Sequence, residues 1–279
     1  MTFSAFEESR ALGSPTNLYL FRYGPNAADV FCYCDAEYNV NFGSNTYIAA
    51  PIERDTIKAK TTLDKSELEI RMPQNTDLAE LFRYYPPSEV ITLTIYQGHA
   101  DDPDQQWIVA WSGRVLGFEI DGNEAKYTCE PISSSMRRPG LRRHYGYGCP
   151  HRLYGTECGA NKAAATRSVT VAELFSNALA LPDTWESSLR KIKYVGGMVE
   201  WTGNGRTERR TILDVQNNGN TLLLSGPVRG LAVGSTVSVV LGCNHKMEDC
   251  SEIHNNIVNF GGQPYIPMKN PVGLRNNFY

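Results

Sequence analysis

The sequence predicts a mainly β protein, and three observations carry that prediction. Short segments rich in Val, Ile, Thr and Tyr recur along the chain, 24 glycines and 15 prolines punctuate them, and stretches with a helical period are few. The expected architecture is an N-terminal β-barrel or sandwich followed by a smaller C-terminal β-barrel. With 279 residues, 41% of them hydrophobic, the chain can build a core in each.

Asp29 to Cys34 reads as a strand, and Val40–Phe42 and Thr46–Ala49 flank the turn residues Gly43-Ser44-Asn45 as a hairpin would. Lys65 to Met72 places Leu68, Ile70 and Met72 on one face at period two, the pattern of a half-buried strand. Asn75 is then expected to cap a short helix with Asp77 and Glu80 in its first turn, ended by Pro86-Pro87. Ile91–Gln97, Trp107–Trp111, Val115–Ile120 and Ala125–Cys129 read as four more strands, the last two joined at Asp121-Gly122-Asn123. The stretch Ser133–Gly148 changes character, crowding Arg137, Arg138, Arg142 and Arg143 beside His144. Beyond it Val169–Leu174, Gly197–Thr202, Arg210–Val215, Thr221–Leu224 and Val237–Val240 suggest a small barrel of about five strands. The divisions expected are 1–135, a linker over 136–164, the small barrel over 165–242 and a C-terminal segment over 243–279.

Charge excludes some functions. Lys and Arg number 27 against 30 Asp and Glu, and the net charge of -3 gives no general attraction for nucleic acid or acidic lipid. No apolar run approaches the roughly 20 residues of a membrane-crossing helix, so no stable membrane insertion is expected. Met1 to Glu8 has no basic region followed by an apolar core, and the chain is expected to fold in a reducing cytoplasm. Seven cysteines, an odd number, are poor disulfide material there. No nucleophile elbow, phosphate loop or metalloprotease helix appears, so no catalytic residue is assigned and no enzyme is expected. The acidic loop Ala100-Asp101-Asp102-Pro103-Asp104 reads as a solvated hairpin tip.

The cysteines are the informative feature. Cys149 and Cys158 stand just before the small barrel, Cys243 and Cys250 just after its last strand. A compact domain usually brings its two ends close together, so both pairs can converge on one site. Gly148, Gly159 and Gly242 flank them, and glycine allows backbone N–H groups to approach sulfur. Eight residues separate the first pair and six the second, wider than the spacing zinc fingers favour. These residues alone leave an iron–sulfur cluster, a zinc ion, a late disulfide and plain buried thiols open. His151 and His245, each two residues after a cysteine, could join a mixed zinc site. Cys32 and Cys34, with Cys129 across a sheet, could form a second metal site or simply be small buried residues. The arginine cluster suits phosphate contacts with DNA, a negatively charged metal cluster, a subunit interface or plain solvent.

Two motifs carry a resemblance. One is Tyr145-Gly146-Tyr147-Gly148-Cys149-Pro150-His151-Arg152-Leu153-Tyr154-Gly155, closed by Cys158-Gly159. The other is Gly242-Cys243-Asn244-His245, then Cys250, Asn255-Asn256 and the run Asn259-Phe260-Gly261-Gly262-Gln263-Pro264-Tyr265-Ile266-Pro267. Together they resemble the iron–sulfur tail-tip hub family of long-tailed phages and gene transfer agents, to which minor tail protein L of phage lambda is similar at greater distance. The resemblance implies a homotrimeric structural hub at the tip of the virion's tail, made in the cytoplasm of a bacterial host. Residues 1–135 would build the hub. Its implied partners are the distal tail protein, the central tip or fibre protein and the tape measure protein, with only transient contact to DNA. It also implies a 4Fe-4S cluster on Cys149, Cys158, Cys243 and Cys250. The alternatives from other classes are a redox-active iron–sulfur or zinc protein and a tail-associated cell-wall hydrolase.

Overall fold

The structure, a computed structural model, describes residues 6–9, 13–25, 29–57, 67–83, 85–99, 102–137, 140, 144–203 and 205–266. The chain divides into two compact units, Met1–Gly140 and Leu141–Tyr279, each built on its own β-sheet.

The first unit holds nine strands: β1 (Pro15–Tyr23), β2 (Val30–Cys34), β3 (Val40–Phe42), β4 (Asn45–Ala49), β5 (Glu53–Arg54), β6 (Leu68–Pro73), β7 (Ile91–His99), β8 (Ile108–Asp121) and β9 (Glu124–Pro131). They pair in the order β3-β4-β2-β1-β7-β8-β9-β6-β5. β1 is central and has no counterpart in the strands expected from sequence. Its Leu18 and Leu20 enter one core cluster while Tyr19, Phe21 and Tyr23 enter another, so both faces are apolar and the alternation that marks a half-buried strand is missing. β8 runs unbroken where two strands were expected, because a register shift between Val115 and Gly117 bends the ladder without ending it. Thr76 rather than Asn75 caps the helix Asp77–Phe82, its hydroxyl accepting from the Ala79 N–H at 3.3 Å. That helix buries Leu78 and Ala79 against the larger cluster, among Ile70, Leu93, Ile95 and Tyr127.

In this unit one alternative falls away, the second metal site, and the reading of the acidic loop as a solvated tip holds for residues 103–106 but not for Asp102. Cys32 and Cys34 pack on the Leu18 and Leu20 side, whereas Cys129 lies in the opposite cluster, so the three form no common site. The Cys34 thiol donates to the Tyr47 carbonyl at 3.5 Å, and burial pushes the Cys129 thiol up to about 12. In the acidic loop, Ala100 and Asp101 lie outside the described residues, but Asp102 is buried rather than solvated. Its carboxylate accepts from the Asp104 and Gln106 N–H groups at 3.0 and 3.1 Å, closing the β7–β8 turn on itself.

The second unit carries β10 (Thr166–Thr170), β11 (Glu173–Leu174), β12 (Ala178–Ala180), β13 (Met198–Gly203), β14 (Arg206–Gln216), β15 (Thr221–Leu224) and β16 (Thr236–Val240). The order β10-β16-β13-β14-β15-β12-β11 has seven strands where about five were expected. The extra ones are short: β11 has two residues and β12 three. β10 and β11 are successive parts of one run bent at Val171 and Ala172, the first pairing with β16 and the second with β12. One run thus lines both edges, yet neither sheet closes by hydrogen bonds into a barrel among the described residues. The core is Trp185, Tyr194, Val199, Trp201, Ile212, Leu222, Val237 and Val239 with their neighbours. No helix among the described residues is long and apolar enough to cross a membrane.

That each unit packs around its own apolar clusters is testable. Leu93→Ala and Ile212→Ala each empty a fully buried position and should cost about 2–5 kcal/mol. Hydrogen exchange followed by mass spectrometry should show protection falling in β1, β7 and β8 for the first variant and in β13, β14 and β15 for the second. Equal loss across both units would contradict the division.

Candidate metal centre

The register of the second sheet brings its two ends together. β10 and β16 are antiparallel, so Thr166 pairs with Val240, and the Leu241 N–H donates to the Ala165 carbonyl at 3.0 Å. The segment before β10 and the segment after β16 therefore leave the sheet side by side. Gly242 fits there because a Cβ would stand 1.9 Å from the Val195 carbonyl oxygen, closer than any side chain tolerates.

From this exit the cysteines are placed by backbone. The Cys149 N–H donates to the His245 carbonyl at 2.7 Å, and His245 Nδ1 returns a hydrogen bond to the Cys149 carbonyl at 2.9 Å. His245 adopts a left-handed backbone, φ 60°, and its N–H points at the Cys243 sulfur at 3.3 Å. The following helix, Met247–Glu252, carries Cys250 on its buried side. Asp249, also buried, holds the helix in place by accepting from Lys193 Nζ at 2.9 Å and from the Asn244 N–H at 3.2 Å. The Asp249 carboxylate in turn pushes the Lys193 amine above its ordinary value.

Residues 255–266 cross back over the upstream segment as a strap. The Gly261 N–H donates to the Cys149 sulfur at 3.4 Å and the Gln263 N–H to the Gly146 carbonyl at 2.8 Å. Tyr147 donates its hydroxyl to the Ile266 carbonyl. Asn256 donates from Nδ2 to the Cys158 carbonyl at 2.6 Å, with the Cys158 sulfur at 3.8 Å, while the Cys250 thiol donates to the Asn256 carbonyl at 3.2 Å. Gly262 passes Tyr147 and Gly148 so closely that a Cβ would stand 2.5 Å from the Tyr147 carbonyl oxygen.

All four cysteines expected at the site thus share one neighbourhood, as free thiols. Burial pushes Cys250 up, and Cys243, Cys149 and Cys158 push it further. Cys243 is raised by burial, opposed by the His245 N–H, and raised again by Asp249, Cys149 and Cys158. Four thiolates cannot coexist in such a place without a cationic centre, and an all-sulfur set suits iron–sulfur or zinc chemistry. Among the described residues no three His, Cys, Asp or Glu side chains stand as a ligand shell for a metal ion. What converges is the backbone around four thiols and the field they exert on one another.

The groups that donate to sulfur are the backbone N–H of Gly261 and of His245 and the side-chain amide of Asn256. The histidines hold carbonyls: His151 Nδ1 meets the Asn259 oxygen at 3.1 Å and His254 Nε2 the Gly242 oxygen at 2.9 Å. Tyr154 joins them, donating to the Leu241 carbonyl at 2.7 Å. The sequence assigns no role to Asp249, Asn256, His254 or Tyr154, although Asn256 and Tyr154 lie in the two motifs, since their partners become visible only in three dimensions. Arg138, Arg142, Arg143 and Pro267, and the side chain of Arg137, lie outside the described residues.

Comparison with known proteins covers both halves. A family model described as "Baseplate hub protein, N-terminal attachment domain" matches residues 13–161, which include Cys149 and Cys158. A second, "Phage conserved hypothetical protein BR0599", matches residues 193–270, which include Cys243 and Cys250. An uncharacterized protein of Xylella fastidiosa (strain 9a5c) is 28% identical over 182 residues, 61% of this chain and 37% of that protein. The chain therefore spans little more than a third of that relative's length. Among solved structures, a chain in one described as "Virion of native gene transfer agent (GTA) particle" superimposes with a TM-score of 0.77 at 15% identity. The match covers 99% of this chain and 97% of that one, so the two share a fold.

The strap can be tested directly. Gly262→Ala forces a Cβ into backbone and should cost about 1–3 kcal/mol of local stability. Hydrogen exchange should accelerate at Gly261 and Gln263 while β13 and β14 keep their protection. Unchanged exchange at those two amides would show that the strap is not pinned there.

Proposed function

The chain belongs to the phage baseplate hub family by its N-terminal attachment domain, residues 13–161, and from that premise we propose that it is a structural hub at a phage-type tail tip. Its fold likeness to a chain of a gene transfer agent virion, over 99% of its length, supports this reading. The first unit, with its own sheet and core, would build the ring of a homotrimer over residues 1–135. The distal tail protein, the central tip or fibre protein and the tape measure protein would be its neighbours. No turnover is required of such a part.

The observation that carries the rest of the proposal is the convergence of Cys149, Cys158, Cys243 and Cys250 from both ends of the second sheet. These four residues would hold a 4Fe-4S cluster, and the cluster would supply positive iron to four thiolates and cross-link the segments that carry them. This chain's own part is to deliver the sulfurs, to aim the Gly261 and His245 N–H groups at two of them, and to cover them with residues 255–266. Ligation would then be folding energy for the strap, which has no strand of its own and a single 3-10 turn, Ile257–Asn259.

Protein purified without oxygen should contain about four iron and four sulfide per chain, with broad absorbance near 400 nm, as a cubane requires. Stoichiometric zinc without sulfide would sink the cluster. Cys243→Ser should lose the metal and open residues 255–266 to protease, whereas Cys32→Ser should do neither. Quantitative mass spectrometry of particles should count this chain in a multiple of three at the end of the tail tube. A location in the capsid would refute the placement.

A further inference from the structure

We infer that Asn256 is a positioning residue of the cysteine centre, tying Cys158 on the upstream segment to Cys250 on the downstream helix. The inference rests on the reading of that centre as a metal site and adds a residue to it. Three contacts make the tie. The side-chain amide donates to the Cys158 carbonyl at 2.6 Å and lies 3.8 Å from the Cys158 sulfur. The backbone N–H donates to the Cys250 carbonyl at 2.9 Å. The backbone carbonyl accepts the Cys250 thiol at 3.2 Å.

Only the last of these involves a proton that ligation would remove. The first two survive when both sulfurs are thiolates, so the tie persists in the metal-bound state. A thiolate is also a stronger acceptor than a thiol, which strengthens the pull of the amide on the Cys158 sulfur. The amide is set the right way round by Asn259, whose Nδ2 donates to Asn256 Oδ1 at 2.7 Å. The turn that brings Asn256 back to Cys250 passes through Asn255 in the left-handed region, φ 46°, a conformation asparagine tolerates well. An amide is the group that meets both demands: it donates towards Cys158 and accepts from Asn259. Aspartate keeps the acceptor but sets a second oxygen against the Cys158 carbonyl, and alanine offers neither.

The test uses the full chain, purified anaerobically, as wild type, Asn256→Ala and Asn256→Asp. In the loaded protein both variants should release iron to a chelator about 10–100-fold faster than wild type. Their midpoint potential should fall, because a donor near sulfur stabilises the reduced cluster. In reduced, metal-free protein, iodoacetamide should modify Cys158 and Cys250 faster in the variants while Cys129 stays unreactive. A purely structural lesion elsewhere would not move the potential or pick out those two thiols. Wild-type release, potential and alkylation in both variants would overturn the inference. Wild-type protein without iron or sulfide would defeat the cluster reading alone, and the alkylation comparison would still decide the role of Asn256. Should Asn256→Ala fail to fold, Asn259→Ala frees the amide without removing it. It should show a smaller effect in the same direction, and no effect there would equally overturn the inference.

Discussion

The 2.7 Å hydrogen bond from the Cys149 amide to the His245 carbonyl closes the second unit on itself, and the cysteine centre is built outward from it. It joins segments 96 residues apart. Closing a flexible loop of that length is entropically costly, although the cost grows only slowly with length. The sheet has already met most of it: once β10 pairs with β16, Thr166 and Val240 are partners and the flanking chains have nowhere to go but alongside each other. The return bond from His245 Nδ1 then fixes the register of that crossing.

Close backbone approach decides what can stand there. Gly197 would put a Cβ 2.1 Å from the Val240 carbonyl oxygen, Gly242 one 1.9 Å from that of Val195, and Gly262 one 2.5 Å from that of Tyr147. Four polypeptide segments thus meet in two pairs, 195–197 with 240–242 and 147–148 with 262, without intervening side chains, and the polar side chains near them serve their backbone groups. His151, His245, His254 and Tyr154 each meet a main-chain carbonyl, so none of these four side chains competes with the sulfurs that the proposed function makes ligands.

The sequence revealed the parts of this design that are local. Strands with one polar face, such as β6 with Leu68, Ile70 and Met72 inward, show their period directly. The two cysteine pairs could be seen to bracket a β unit before any contact was known. β1 escaped because it is sandwiched between two cores, and Leu18 to Phe21 then read as an unpatterned apolar run. β11 and β12 escaped because two or three residues are too few to display a period. Asn256 and Asp249 were visible as letters but not as roles. The partners of Asn256 in Cys158 and of Asp249 in Lys193 lie 98 and 56 residues away, and no local pattern encodes such a pairing.

The thermodynamic consequence follows from the same geometry. The strap 255–266 contains no strand, and its long-range hydrogen bonds run to Gly146, Tyr147, Cys149, His151 and Cys158, all on the upstream cysteine segment. Its order is therefore conditional on the place of that segment, which is conditional in turn on the crossing at His245. Burial and mutual repulsion keep Cys243 and Cys250 protonated beyond the ordinary thiol range, so a metal entering the site must displace protons. Under the proposed ligation, metal binding, proton release and strap order would be one linked equilibrium. Each of the three would then be stabilised by the others.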